Sequence, residues 1–177
     1  MPTPAAKILT AAAIGALAVT AWNAAPAAAS EARTEPIVIE HEEEDYGSDL
    51  GEIWNCVWAV GPIDCGTAKG AATDAEAATV EEVNWGNFPF DSMHNGKADG
   101  FRHCYWNALM THRIDAEQAK EVADAHEDKP GQPAAEKDMD LHNNQVGRDI
   151  GSRSGSEGAS RDQCRDAARN GTLKTLK

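Results

Sequence analysis

Four cysteines follow an N-terminal stretch that has the order of a secretory signal peptide. Lys7 is followed by an apolar run from Ile8 to Trp22, and small residues close the stretch at Ala29. This order predicts export with cleavage after Ala29, and the run is short for a membrane span, which needs roughly 20 residues. An exported domain folds under oxidising conditions, where an even number of cysteines predicts disulfides.

The four cysteines, Cys56, Cys65, Cys104 and Cys164, allow three pairings. We favour Cys56–Cys65, which would close a loop around Gly61-Pro62, together with Cys104–Cys164, which would tie the C-terminal segment to a central helix. The other two pairings stay open. A thiolate metal site is the competing interpretation, and the lack of a C-x-x-C pair weakens it.

Charge and length narrow the classes of protein to which the chain can belong. The whole chain has a formal net charge of −13, and loss of Lys7 with the leader makes it −14. Such a charge repels nucleic acid and anionic membranes, so we do not expect a nonspecific DNA or RNA binder. The remaining 148 residues suit one domain with its own core. We expect a secreted monomer with no stable membrane insertion after cleavage.

Composition divides the chain into three parts. Residues 1–29 are the predicted signal peptide, and residues 30–52 form an acidic stretch that we interpret as a flexible arm, because a block of like charge cannot bury itself. Residues 53–177 are predicted to fold as a mostly α, disulfide-stapled helical domain. Within it the sequence predicts helices at 67–83, 98–111, 116–127, 133–150 and 160–169.

Local signals give these helices their expected ends. Thr73 or Asp74 is the expected cap of the first helix, and Asp115 is the expected N-cap of the third, with Gln118 as its capping-box partner. Residues 84–90 are predicted to be a loop with buried aromatic side chains. A glycine- and serine-rich link is expected at 151–158, before a last helix that ends at Asn170-Gly171.

Polar residues lie on the three central helices where a plain core would be apolar. Asp99, His103 and Asn107 stand at i, i+4 and i+8, so they share one face of the first of these helices. His126 and Glu127 end the second, and the third presents Asp140, Asn143, Asn144 and Gly147 on one face with Arg148 beside it. A glycine inside a helix costs about 1 kcal/mol relative to alanine, so we expect some group to approach the backbone closely at Gly147.

This set of residues supports two kinds of chemistry. Asp99, His103, His126, Glu127 and Asp140 are of the ligand types that bind a divalent metal, namely zinc, calcium or magnesium. Without a metal, His103 or His126 would be a general base oriented by one of the carboxylates. The third interpretation is a structural network of hydrogen-bonded polar side chains.

Three ordered motifs resemble a small bacterial domain of unassigned function. They are Asp99–Met110 (D-x-F-R-H-x-x-W-N-A), Ala123–Glu127 (A-H-E) and Met139–Arg148 (M-D-L-x-N-N-x-x-G-R). That domain occurs alone in secreted proteins and at the C-terminal end of toxin-like or wall-associated proteins. The resemblance implies a site on Asp99, Arg102, His103, Trp106, Asn107, His126, Glu127, Asp140, Asn143, Asn144 and Arg148.

Two weaker likenesses concern the reaction. The order His103, His126-Glu127, Asp140 is similar to metal phosphohydrolases of the HD superfamily, with Glu127 where that pattern has Asp. Small secreted bacterial phospholipases also combine export, two disulfides and a helical His/Asp site. Their Asp follows the catalytic His directly, whereas Cys104 follows His103 here.

We expect a secreted hydrolase, metal-dependent or using a metal-free His/Asp site, that acts on an ester or phosphoester of envelope lipid or cell-wall material. The catalytic or metal-binding set is Asp99, His103, His126, Glu127 and Asp140. The expected substrate-binding set is Arg102, Trp106, Asn107, Asn143, Asn144 and Arg148. The alternative is a non-catalytic, secreted binding or envelope-associated protein whose polar helices form a structural network.

Overall fold

The computed structural model describes residues 50–177, with side chains from Asn55 onward. The predicted signal peptide and the acidic arm up to residue 49 lie outside the described residues. Within them the chain forms five helices and no strand, which confirms the mostly α fold. The helices are α1 (Leu50–Asn84), α2 (Lys97–Arg113), α3 (Ala116–His126), α4 (Ala134–Arg153) and α5 (Glu157–Asn170), with a 3-10 turn at Phe90–Ser92.

Helix α1 is longer than the sequence suggested and begins three residues before the predicted start of the domain. It has a kink at Gly61, whose φ of 83° is accessible to glycine, and Pro62 follows directly. The Cys56–Cys65 disulfide spans this kink. The predicted caps at Thr73 and Asp74 are wrong: α1 continues through both, and Thr73 Oγ1 donates to its own helix at Lys69 O.

The other helix ends agree with the sequence in part. Asp115 caps α3 by accepting from the backbone N–H groups of Glu117 and Gln118, as predicted. The side chain of Gln118 does not complete a capping box, because it donates instead to Asp64 Oδ2 at 2.9 Å. Gly171 ends α5 in the left-handed conformation. The link before α5 is shorter than predicted, since α4 continues to Arg153 and α5 begins at Glu157.

Helix α2 is the centre of the domain and packs against all four other helices. Its contact with α4 is close because α4 presents glycine there. A Cβ atom added to Gly147 would lie 2.1 Å from Cys104 O, and one added to Gly151 would lie 2.8 Å from Ala108 O. The expected close approach at Gly147 is therefore confirmed, and it sets the polar faces of the two helices against each other.

The C-terminal part of the domain is tied to α2. The Cys104–Cys164 disulfide links α2 to α5, so both favoured pairings are confirmed. Beyond α5, Leu173 is buried, and Lys174 exchanges two hydrogen bonds with the Asn143 side chain.

The predicted loop of buried aromatics is correct for one residue of three. Phe88 is buried, with its ring centroid 5.5 Å from that of Phe101. Trp85 and Phe90 are 63% and 50% exposed. The Arg161 guanidinium lies over the Trp85 ring, with Cζ 4.9 Å from the ring centroid. Trp85 therefore packs against this cation and not against the core.

Among residues 50–177, no helix has both the length and the apolar character that crossing a membrane requires.

Candidate metal centre

Two carboxylates and one imidazole converge where α2 meets α4. Asp99 and His103 lie one turn apart on α2, and the close crossing at Gly147 brings Asp140 of α4 to the same point. His103 Nε2 is 3.7 Å from Asp99 Oδ1 and 3.5 Å from Asp140 Oδ1. One ligand atom from each of the three buried residues lies within 4.8 Å of the others, a group that could hold a metal ion.

The second ring nitrogen of His103 is held by a hydrogen-bonded network behind the imidazole. Nδ1 lies 3.2 Å from Asn144 Oδ1 and 3.5 Å from Glu127 Oε1. The orientation of the Asn144 amide is fixed, since its oxygen accepts from Asn107 Nδ2 at 2.7 Å and its nitrogen donates to Glu127 Oε1 at 3.1 Å. Because an amide oxygen can only accept, Nδ1 carries the proton and the Nε2 lone pair faces the carboxylates.

Asp140 Oδ1 is an acceptor that this arrangement leaves unsatisfied in front of His103 Nε2. It is buried and makes no hydrogen bond within the described part of the chain, and it points at the lone pair of His103 Nε2. Burial, together with the nearby Glu127 and Asp99, raises the pKa of Asp140 to about 8. Burial, together with the Arg102 charge, lowers the pKa of His103 to about 4. Two acceptors that face each other need a proton or a cation between them, and in the metal-free protein the proton is on Asp140.

Arg102 forms the outer edge of the centre. Its Nη2 donates to Asp99 Oδ1 at 2.6 Å and lies 3.4 Å from His103 Nε2, while its Nε lies 3.6 Å from Glu76 Oε2 on α1. The side chain is 35% exposed. Burial opposes the ionised form of Asp99, but Arg102, His103 and the Asn95 N–H together hold the pKa of that carboxyl below its usual value.

Glu127 lies on the Nδ1 side of His103, with its Oε1 3.5 Å from that nitrogen. It is 2% exposed, and its Oε2 accepts from Gln132 Nε2 at 3.0 Å. Burial raises the pKa of Glu127, although the hydrogen bonds from Gln132 and Asn144 oppose the shift. Its position is that of a carboxylate that orients a ligand histidine, and its oxygens face Nδ1, not Nε2.

The network extends from Asn107 along α4 towards the surface, since Gln145 is exposed. Arg148 Nη1 donates to Asn107 Oδ1 at 2.9 Å, and Arg148 Nη2 donates to Gln145 Oε1 at 2.9 Å. Arg148 is buried, so its hydrogen bonds support the network behind the imidazole.

Three residues predicted for the site lie apart from the three-ligand group. His126 packs edge-on against Trp106, with ring centroids 5.3 Å apart, and burial lowers the pKa of His126 strongly. The Trp106 indole N–H donates to Ala68 O on α1. Asn143 bonds the backbone of Lys174. These contacts hold α1 and the C-terminal segment in place.

Sequence reasoning missed Glu76, Asn95 and Gln132, which position the ligands from outside the motifs. The Asn95 N–H donates to Asp99 Oδ2 at 2.6 Å, and its backbone has a φ of 60°. The sequence Asn95-Gly96 before α2 is a turn signal that could have indicated this conformation. Nothing in the sequence relates Glu76 to Arg102, because that contact depends on how α1 packs.

The fold and the centre together define a small helical domain with two disulfides and a buried group of one histidine and two aspartates. A family model described as a domain of unknown function, DUF6973, matches residues 56–172. The chain belongs to the DUF6973 family, which agrees with the predicted resemblance to a domain of unassigned function. The three ordered motifs and the occurrence in toxin-like proteins stay predictions. No solved structure matches the chain.

Proposed function

We propose that this protein is an exported, metal-dependent hydrolase of ester or phosphoester bonds. The observation that carries the proposal is a buried pair of facing acceptors. Asp140 Oδ1 makes no hydrogen bond with residues 50–177, and the lone pair of His103 Nε2, 3.5 Å away, is directed at it. Without a cation, the pair is satisfied only while Asp140 keeps a proton, and holding a buried carboxyl protonated near neutral pH costs stability. A cation between them satisfies both atoms at once.

Zinc fits the three-ligand group best among the ions considered. A catalytic zinc site has three protein ligands and an open position for water, and it accepts imidazole and carboxylate together. Calcium takes six to eight oxygen ligands, and magnesium prefers oxygen ligands in octahedral geometry. The nitrogen of His103 at the centre of the group therefore favours zinc over both.

Each residue has a definite part in this proposal. Bound zinc would supply a water of pKa near 7 for attack on the ester. Asp99, His103 and Asp140 would hold the ion, and Asn144 with Glu127 would keep the Nε2 of His103 directed at it. Arg102, at the exposed edge, would neutralise the negative charge of a phosphoester or of the developing oxyanion.

The class of substrate follows from compartment and charge. The predicted leader and the two disulfides support a secreted protein. The net charge of −13 argues against nucleic acid. Esters and phosphoesters of envelope lipid or cell-wall material are the substrates that such a protein would meet outside the cell.

A non-catalytic role is favoured by one observation, the near-complete burial of the network. Asn107 and Asn144 are fully buried and every side-chain contact found for them is internal. In that alternative, Asp140 stays protonated and the protein binds a partner through another surface. The two functions differ in whether the protein takes up zinc.

The test combines zinc loading with a substrate panel. Mature protein, metal-free and zinc-loaded, is incubated with phospholipids, phosphodiesters, carboxylic esters and cell-wall fragments. We expect turnover that chelation removes and zinc restores, that His103→Ala abolishes and that His142→Ala retains. His142 is the matched control, because this α4 histidine bonds Thr172 O outside the centre. Zinc uptake without turnover of any substrate, or turnover that His103→Ala retains, would overturn the hydrolase proposal.

A further inference from the structure

Arg102 touches two of the three proposed ligand atoms. Its Nη2 is 2.6 Å from Asp99 Oδ1 and 3.4 Å from His103 Nε2. We infer that the Arg102 guanidinium stands in for the metal ion in the metal-free protein, so that the ion binds only after the guanidinium has moved away. This inference rests on the metal centre proposed above. It makes Arg102 the residue that sets the affinity of that centre for zinc.

Distances show that the guanidinium and the ion cannot share the centre. Asp99 Oδ1 and His103 Nε2 are 3.7 Å apart. With metal bonds of about 2.0–2.2 Å, an ion bonded to both atoms would lie within roughly 3.5 Å of Arg102 Nη2, at any angle around the line that joins them. Two cations so close repel strongly where water is largely excluded.

Arg102 cannot relieve the repulsion by losing a proton. A guanidinium stays charged at any pH that a folded protein tolerates. Displacement is therefore the route by which an ion can enter.

Glu76 provides the place to which the guanidinium can move. Its Oε2 already lies 3.6 Å from Arg102 Nε, and the Glu76 and Arg102 side chains are 33% and 35% exposed. Rotation of the Arg102 side chain can keep this ion pair while Nη2 leaves Asp99. The displaced guanidinium then lies at the solvent edge of the centre, where an anionic group of the substrate would approach the ion.

Competition titrations with a chromogenic chelator test the inference by measuring the zinc Kd of the mature wild type and three variants. Arg102→Met removes the guanidinium, and we expect it to bind zinc at least tenfold more tightly. Glu76→Gln removes the carboxylate that receives the guanidinium, and we expect at least threefold weaker binding. Lys129→Met is the matched control, because this exposed cation also acts on His103 through its charge; we expect less than a threefold change.

The outcomes separate this inference from the proposed function. Zinc binding by the wild type with equal or weaker binding by Arg102→Met would overturn the role of Arg102 and leave the metal centre intact. An equal increase in zinc affinity in Lys129→Met would also overturn the role of Arg102, because removal of any nearby positive charge would then explain the tighter binding. Tight binding by Arg102→Met alone would support the inference and contradict metal dependence of the wild type. Absence of binding in all four proteins would overturn both, and Glu76→Gln keeps the test valid if Arg102→Met fails to fold.

Discussion

Replacing Asp140 by asparagine should stabilise the metal-free protein while removing its metal site. The Asp140 side chain is 10% exposed, and the pKa of its carboxyl is raised from 3.8 to about 8. At pH 7 the unfolded chain has this group ionised, whereas the folded chain keeps it protonated. One pKa unit corresponds to 1.36 kcal/mol, so the free energy of unfolding should rise by up to about 4 kcal/mol in Asp140→Asn.

The sign of the pH dependence follows from the raised pKa. A carboxyl whose pKa is higher in the folded state contributes stability below its unfolded pKa of 3.8, and this stability is lost as the pH rises towards about 8. The gain in free energy of unfolding that Asp140→Asn brings should therefore be near zero at pH 4, grow through neutral pH and level off above pH 8. At neutral pH it corresponds to a melting temperature higher by roughly 5–15 °C.

The assay is thermal unfolding in chelator between pH 4 and pH 9, repeated with zinc at pH 7. Asp138→Asn is the matched control, because this exposed acid two residues away bonds Lys174; its melting temperature should stay level or fall slightly. Zinc should raise the melting temperature of the wild type but not of Asp140→Asn. Destabilisation of Asp140→Asn at pH 7 by more than about 1 kcal/mol would contradict a protonated Asp140, because this carboxyl would then be the ionised partner of a protonated His103.

Three further predictions concern the packing and the support of the centre. Gly147→Ala should cost at least about 2 kcal/mol by overpacking against Cys104 O, while Gly70→Ala, with nothing within 4 Å of the added Cβ, should be neutral or stabilising in urea melts. Replacing Cys104 and Cys164 together by serine should cost about 4 kcal/mol, because the bridge spans 60 residues; a loss below about 1 kcal/mol would contradict this. Asn144→Leu should weaken zinc binding about 10- to 100-fold in calorimetry, since it frees the His103 ring from its partner, and unchanged affinity would show that Asn144 does not position the histidine.

The sequence predicted the regular part of the fold well and its irregular part poorly. Helical spacing and a strong cap at Asp115 located α2, α3 and α4 within a few residues. The extension of α1 back to Leu50 could not be predicted, because Gly61-Pro62 is a common turn signal that here kinks a helix while the Cys56–Cys65 bridge spans it. The exposure of Trp85 also depends on a distant residue, Arg161.

For the centre, residues one turn apart could be grouped from sequence, whereas contacts between helices could not. Asp99 and His103 share a face of α2 by spacing alone, and Gly147 in α4 indicated a close approach there without naming the neighbour. The rotation of α3 about its axis decides that Glu127 faces the back of the His103 ring and that His126 faces Trp106. The helical periodicity of α3 does not specify this rotation. The sequence therefore predicted the same catalytic or metal-binding role for His126 and Glu127.

Anomalous diffraction at the zinc edge, from crystals of the mature protein soaked in zinc, tests the metal centre most directly. We expect one strong peak within bonding distance of Asp99 Oδ1, His103 Nε2 and Asp140 Oδ1, with the Arg102 guanidinium turned towards Glu76. A peak confined to exposed side chains, with Arg102 still on Asp99, would contradict this expectation.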